Sequence, residues 1–231
     1  MTQTTTNKKS ISLLLIGYTI VFFAVWAIYT LLLKPLICDA LGEETLISSL
    51  LRSGVIKNLV WTLPAALLIT KYNNHCMVSL RDMFVQRKKD WLRWLPVFAL
   101  FILYIVIGAF RIRGGIGIVD SFGVDDIVTV IFVGLTEELV FRGWLLNATY
   151  KETDPQNKQY IAIGLNALTF LCIHFPIWIS KGTFISSFTS FGFVSILVLS
   201  VVFSVAFVKT RNIVIPIALH MFWDLLVFLF M

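Results

Sequence analysis

The sequence predicts an all-α fold, a polytopic transmembrane helical bundle of about seven spanning helices. Three observations lead there. Of 231 residues, 58% are hydrophobic and only 14% charged, where soluble domains carry about 25% charged residues. The mean hydropathy is +0.87, so a water-facing surface would hold apolar patches larger than soluble monomers tolerate. The apolar residues also fall in runs of roughly twenty, the length a helix needs to cross hydrocarbon.

Residues 1–10, MTQTTTNKKS, form a polar tail expected in the cytoplasm. The first span covers about 11–33; its apolar run is too long for a cleavable signal and lacks a small-residue exit. The second covers about 54–71, where Pro64 can kink the helix at a cost its neighbours absorb. The third covers about 92–111, the fourth 124–146, the fifth 159–179, the sixth 186–208 and the seventh 212–231. Segment 37–53, ICDALGEETLISSLLRS, mixes acids with a weak apolar stripe and reads as an amphipathic interfacial helix or a loop. No internal repeat is visible, so 11–231 reads as a single membrane domain. Trp144, Trp178 and Trp223 read as interface anchors or packing residues, and the Phe-rich stretch 184–193 as lipid-facing or core. Cys38, Cys76 and Cys172 are scattered, without metal-ligand spacing or a disulfide framework.

The formal charge of +6 comes mainly from the polar gaps, which points to membrane topology and a lipid bilayer partner rather than to nucleic acid. With the N-terminus inside, thirteen of the nineteen Lys and Arg fall on the inner side, QRKKD (86–90) contributing most. Lys34, Arg52, Lys57, Arg111, Arg113 and Lys181 are left outside. The expectation is an integral protein of a cytoplasmic membrane, bacterial by its brevity, with its N-terminus in the cytoplasm.

Several ionisable residues sit where hydrocarbon is expected. The fourth span carries Glu137, Glu138 and Arg142 within GLTEELVFRGWLL (134–146), the fifth His174, and the seventh His220 and Asp224. Such groups cost at least about 2.5–3.5 kcal/mol at a helix centre, face the bundle interior, and mark function. Glu138 and Arg142 are i,i+4 and share a face, as do His220 and Asp224. Glu137 is rotated by about 100° from Glu138 and needs a partner from another helix. Phe170 lies one turn before His174 on the same stripe. Counted back to Lys151, Lys158 and Arg211, Glu137, His174 and His220 lie about 21, 24 and 13 Å deep at 1.5 Å per residue. That suggests a common layer in the inner half, in a chamber opening to the cell interior.

In order, EELVFR (137–142), FLCIH (170–174) and HMFWD (220–224) resemble the CAAX protease and bacteriocin-processing family of intramembrane proteases, relatives of the type II CAAX prenyl endopeptidases. The likeness covers about 125–231. It implies hydrolysis of a peptide bond in a membrane-presented peptide or protein. Glu137 and His174 resemble the pair that activates water, and His220 and Asp224 the pair that polarises the carbonyl. Glu138, Arg142 and Phe170 would support them. Asp224 stands where eukaryotic members carry Asn. The chemistry is coherent: water needs a positioned base, and the oxyanion a fixed donor in a low-dielectric pocket. The cofactor question stays open between none and a divalent metal such as Zn2+, for which Glu137, His174 and His220 would be the ligands. Two other readings also stay open: a non-enzymatic bacteriocin-immunity or scaffold protein, and a proton-coupled transporter, which lacks a visible inverted repeat.

Overall fold

The computed structural model describes residues 2–42, 45–152, 159–190 and 192–231, and those residues form helices joined by short turns. Helix α1 spans 2–41, and α2 spans Leu46–Lys71. A loop with two single 3-10 turns leads to α3, Lys88–Arg113. Helix α4 runs without a break over 124–152. It is followed by α5 (Gln159–Cys172), α6 (Phe175–Ser180), α7 (Phe184–Thr189), α8 (Gly192–Thr210) and α9 (Val214–Phe230).

Five helical stretches among the described residues are long and apolar enough to cross a membrane: Ile11–Leu41, Leu46–Lys71, Lys88–Arg113, Gln159–Ser180 and Gly192–Thr210. Helix α9 is a shorter apolar helix, and α4 carries Glu137, Glu138 and Arg142. Five of the about seven expected spans are thus matched by length and composition. The outer faces suit lipid. On α3, Leu92, Leu103 and Phe110 are each more than half exposed, while Phe101, Ile105 and Ala109 are buried.

Segment 37–53, expected as one amphipathic interfacial helix or a loop, is instead divided between two helices. Residues up to Leu41 complete α1, and α2 begins at Leu46. Gly42 turns the chain at φ 82°, a left-handed value costly for other residues. Thr45 caps α2 by accepting from the Ser48 amide at 3.2 Å. Glu43, Glu44, Lys158 and Phe191, which figure in the sequence expectations, lie outside the described residues.

Two apolar clusters form the interior. One gathers Phe22, Trp26, Trp61, Phe141, Trp144 and Phe170 from α1, α2, α4 and α5. The other gathers Phe101, Ile105, Phe203 and Leu219 from α3, α8 and α9. Trp144 is therefore core rather than an interface anchor, and fully buried. Trp178 packs on Phe175, Phe184 and Phe188, and Trp223 on Phe101 and Tyr104.

The N-terminal end of the bundle is closed by the 72–87 loop. Val78 accepts from Asn147 Nδ2 at 2.8 Å, and the Ile213 amide donates to Met83 O at 2.7 Å. His75 Nδ1 meets Glu152 at 2.8 Å on the same side. At the far end, the Val119 amide donates to Leu229 O at 2.9 Å.

Candidate active site

Helix α4 positions the two glutamates. Gly134, one turn before Glu138, lets α4 approach α9 closely: a Cβ there would stand 2.6 Å from Met221 Cγ. After Glu138 the backbone loosens into a π-helical stretch, Leu139–Leu146, a register that recurs at functional sites. Asn166 of α5 donates Nδ2 to the Phe141 carbonyl inside that stretch, at 2.8 Å.

Glu138 and Arg142 are fully buried and linked, with Arg142 Nη1 donating to Glu138 Oε1 at 2.9 Å. Arg142 Nη2 donates to the Ser200 carbonyl at 3.1 Å and to its hydroxyl at 2.8 Å, on α8. The guanidinium lies 4.5 Å from the Phe170 ring centre and 5.4 Å from that of Phe203. It thus bridges the two apolar clusters. The same Glu138 oxygen accepts from His220 Nδ1 at 2.8 Å. His220 is stacked on Phe203, with ring centres 5.1 Å apart, and its Nε2 faces Asp224 Oδ2 at 3.4 Å. Glu138 is more than a partner for Arg142: it fixes the ring of His220.

His174 is set by a helix break. Pro176 has no amide hydrogen and cannot continue the ladder of α5. At the break, the His174 amide bonds the Leu171 carbonyl at 3.0 Å. The Phe170 carbonyl is then free to accept from His174 Nδ1, at 2.8 Å. A carbonyl can only accept, so Nδ1 carries the proton and Nε2 presents a lone pair. Trp26 of α1 pins the break by donating to the Ile173 carbonyl at 2.8 Å. The Phe170 ring touches both imidazoles, with centres 5.2 Å from His174 and 5.9 Å from His220.

Glu137, His174, His220 and Asp224 line one cavity of about 370 Å³. Glu137 has Lys57 Nζ at 4.0 Å from its Oε1. Lys34, Arg52, Ser53, Thr129, Lys181 and Phe228 line the same space. These last positions lie near the ends of α1, α6 and α9 and near the starts of α2 and α4, all remote from the N-terminus. The cavity therefore opens at the far end of the bundle. An N-terminus inside the cell and a mouth toward the cell interior, the pairing that residue counting suggests, exclude each other. The count went wrong because Glu137 and His220 lie near mid-helix, where distance to one marker does not say which end is open.

The suggested metal ligands do not assemble. Among the described residues no group of three His, Cys, Asp or Glu side chains is spaced to hold a metal ion. His220 spends Nδ1 on Glu138 and turns Nε2 toward Asp224. The donor set does not fit a resident Zn2+.

Sequence reasoning missed Lys57, Trp26, Ser200 and Phe203. Lys57 was open to the same rule as the glutamates, being an ionisable residue in an apolar run. It was assigned instead to the outer topology set. Ser200 and Phe203 carry no signal without a partner to point at.

No curated protein and no solved structure matches the chain. A family model described as type II CAAX prenyl endopeptidase Rce1-like matches residues 120–226. That stretch contains α4 through most of α9, the helices that supply both glutamates, Arg142, both histidines and Asp224. Residues 120–226 of this integral membrane protein, just under half of the chain, are thus similar to the Rce1-like type II CAAX prenyl endopeptidases.

Proposed function

We propose that this protein is an intramembrane endopeptidase that splits a peptide bond with water activated by Glu137 and His174. The observation that carries the reading is the convergence of Glu137, His174, His220 and Asp224 on one cavity inside a lipid-shielded bundle. Glu137 takes a proton from water as the oxygen attacks the scissile carbonyl. His174, its Nδ1 tied to the Phe170 carbonyl, offers Nε2 to orient that water. The developing oxyanion takes a hydrogen bond from Nε2 of His220 in its imidazolium form, the ring being held by Glu138 at Nδ1 and by Asp224 beside Nε2. The proton taken from water passes to the leaving amine, and the two peptide fragments separate.

The substrate is a peptide or protein segment presented at the membrane, and it enters from the far end of the bundle. Four of the six Lys and Arg assigned outside, Lys34, Arg52, Lys57 and Lys181, line the cavity. Their position answers to the site rather than to topology. Setting them aside leaves the basic excess at the N-terminal end stronger, which supports an N-inside orientation and a mouth on the extracytoplasmic face.

The test is cleavage by purified protein in detergent. Two fluorogenic probes serve, a prenylated peptide ending in a CAAX box and an unprenylated membrane-spanning peptide. Glu137→Gln should cut neither above about 1% of the wild-type rate, a loss within the range of general-base removal. Wild-type rates should survive a chelator. Retained cleavage by Glu137→Gln would end the reading, and retained biological activity without any cleavage would point to a scaffold.

A further inference from the structure

Lys57 belongs to none of the three motifs, yet it reaches the centre of the site. It stands on α2, inside the apolar run, with its side chain only 12% exposed. Its ammonium lies 5.2 Å from the ring centre of Trp26 and 5.4 Å from that of Trp61, and 4.0 Å from Glu137 Oε1. Both rings are themselves buried. An ammonium over two indoles is held by their electron-rich faces, and here they leave it aimed at a carboxylate.

The two adjacent glutamates differ in what restrains them. Glu138 is fixed by Arg142 from its own helix and by His220. Glu137 has Phe141 four residues on and Val133 four residues back, so its own helix supplies no cation at that spacing. A cation 4 Å away attracts a carboxylate about four times more strongly at an effective dielectric of 20 than in water. Membrane-buried lysines are rare enough to need such a partner.

We propose that Lys57 is a positioning residue for Glu137, holding the carboxylate over the cavity as its counter-charge while Trp26 and Trp61 hold the ammonium. The proposal rests on the endopeptidase reading for its consequence in catalysis, but the pairing itself can be measured without a substrate.

The experiment compares wild type, Lys57→Met, Glu137→Gln and the double variant, purified in detergent. Methionine keeps an apolar stem against the two indoles and removes the charge. Thermal unfolding should show non-additivity, the double variant departing from the sum of the single shifts by at least about 3 °C. On the CAAX-box peptide, Lys57→Met should lower kcat at least tenfold with KM within twofold, and Lys57→Arg should return kcat to within about threefold of wild type. An additive cycle, or a Lys57→Met enzyme with wild-type kcat, would overturn the proposal and leave Lys57 as packing for the indoles. If Lys57→Met does not fold, Lys57→Gln takes its place in the same cycle. If the wild type cuts no peptide, the protease reading fails while the thermal cycle still decides the pairing.

Discussion

Glu137 and Glu138 are separated by about 100° of helix rotation and have different surroundings. Glu138 is fully buried between Arg142 and His220; Glu137 borders the cavity beside Lys57. Removing one member of the buried set leaves a charge without compensation, which costs about 3–5 kcal/mol. Arg142→Met and Glu138→Gln should therefore each lower the unfolding temperature markedly, and the double variant should recover part of the loss. Thermal scans in detergent check this, and simple additivity would contradict it. Glu137→Gln, which leaves Lys57 without its counter-charge but beside the cavity, should lower the unfolding temperature by less than either. A different expectation holds for Cys76, in the loop at the N-terminal end. Burial pushes its thiol up to about 11, so the reactive thiolate is a minute fraction at neutral pH. A maleimide at pH 7.5 should leave Cys76 unlabelled in the folded protein and label it after denaturation, as read by mass spectrometry.

Among the elements, the break between α5 and α6 has the most direct chemical consequence. The Phe170–His174 spacing was legible in the sequence as one helical stripe. The break had a signal that went unread: Pro176 falls inside the expected span 159–179, where a proline interrupts the helical ladder. What the sequence does not show is that the Phe170 carbonyl is released for the imidazole. Pro176→Ala would let the ladder continue and return the His174 amide to that carbonyl, in competition with Nδ1. The expected outcome is a kcat lowered about tenfold with unchanged or raised thermal stability; an unchanged kcat would show that the tautomer is set elsewhere. The π-helical stretch after Glu138 was equally hidden, since its residues, LVFRGWLL, read as an ordinary apolar helix. Helix existence followed from run length and charge, and five of the about seven expected spans are matched by helices long and apolar enough to cross a membrane. Segment 37–53 was misread because it holds the end of one helix and the start of the next: residues up to Leu41 belong to α1 and those from Leu46 to α2.

At the scale of the whole molecule, the bundle has two unlike ends. Lys71, Arg81, Arg87, Lys88, Lys89, Lys151, Lys209 and Arg211 gather at the N-terminal end, and the cavity opens at the other. Orientation can be read with Lys181→Cys and Lys209→Cys, each in a background with Cys38 and Cys172 replaced by serine. In intact cells a membrane-impermeant maleimide should label position 181 and should reach position 209 only after permeabilisation. The reverse pattern would turn the protein over and put the cavity mouth in the cytoplasm. Which residues converge was legible from the three motifs, since each places an ionisable group where lipid should be. Which way the chamber opens was not, because direction depends on how the helix ends are arranged around the cavity.

The guanidinium of Arg142 rests between Phe170 of one apolar cluster and Phe203 of the other, tied to a carboxylate that also steers an imidazole. The joint between the halves and the aim of that ring are thus one object. A lesion there should yield poor expression and, on the proposed mechanism, lost turnover at once, from a single cause. On that mechanism an inactive control for experiments in cells is better built at position 137, which borders the cavity and leaves the seam closed.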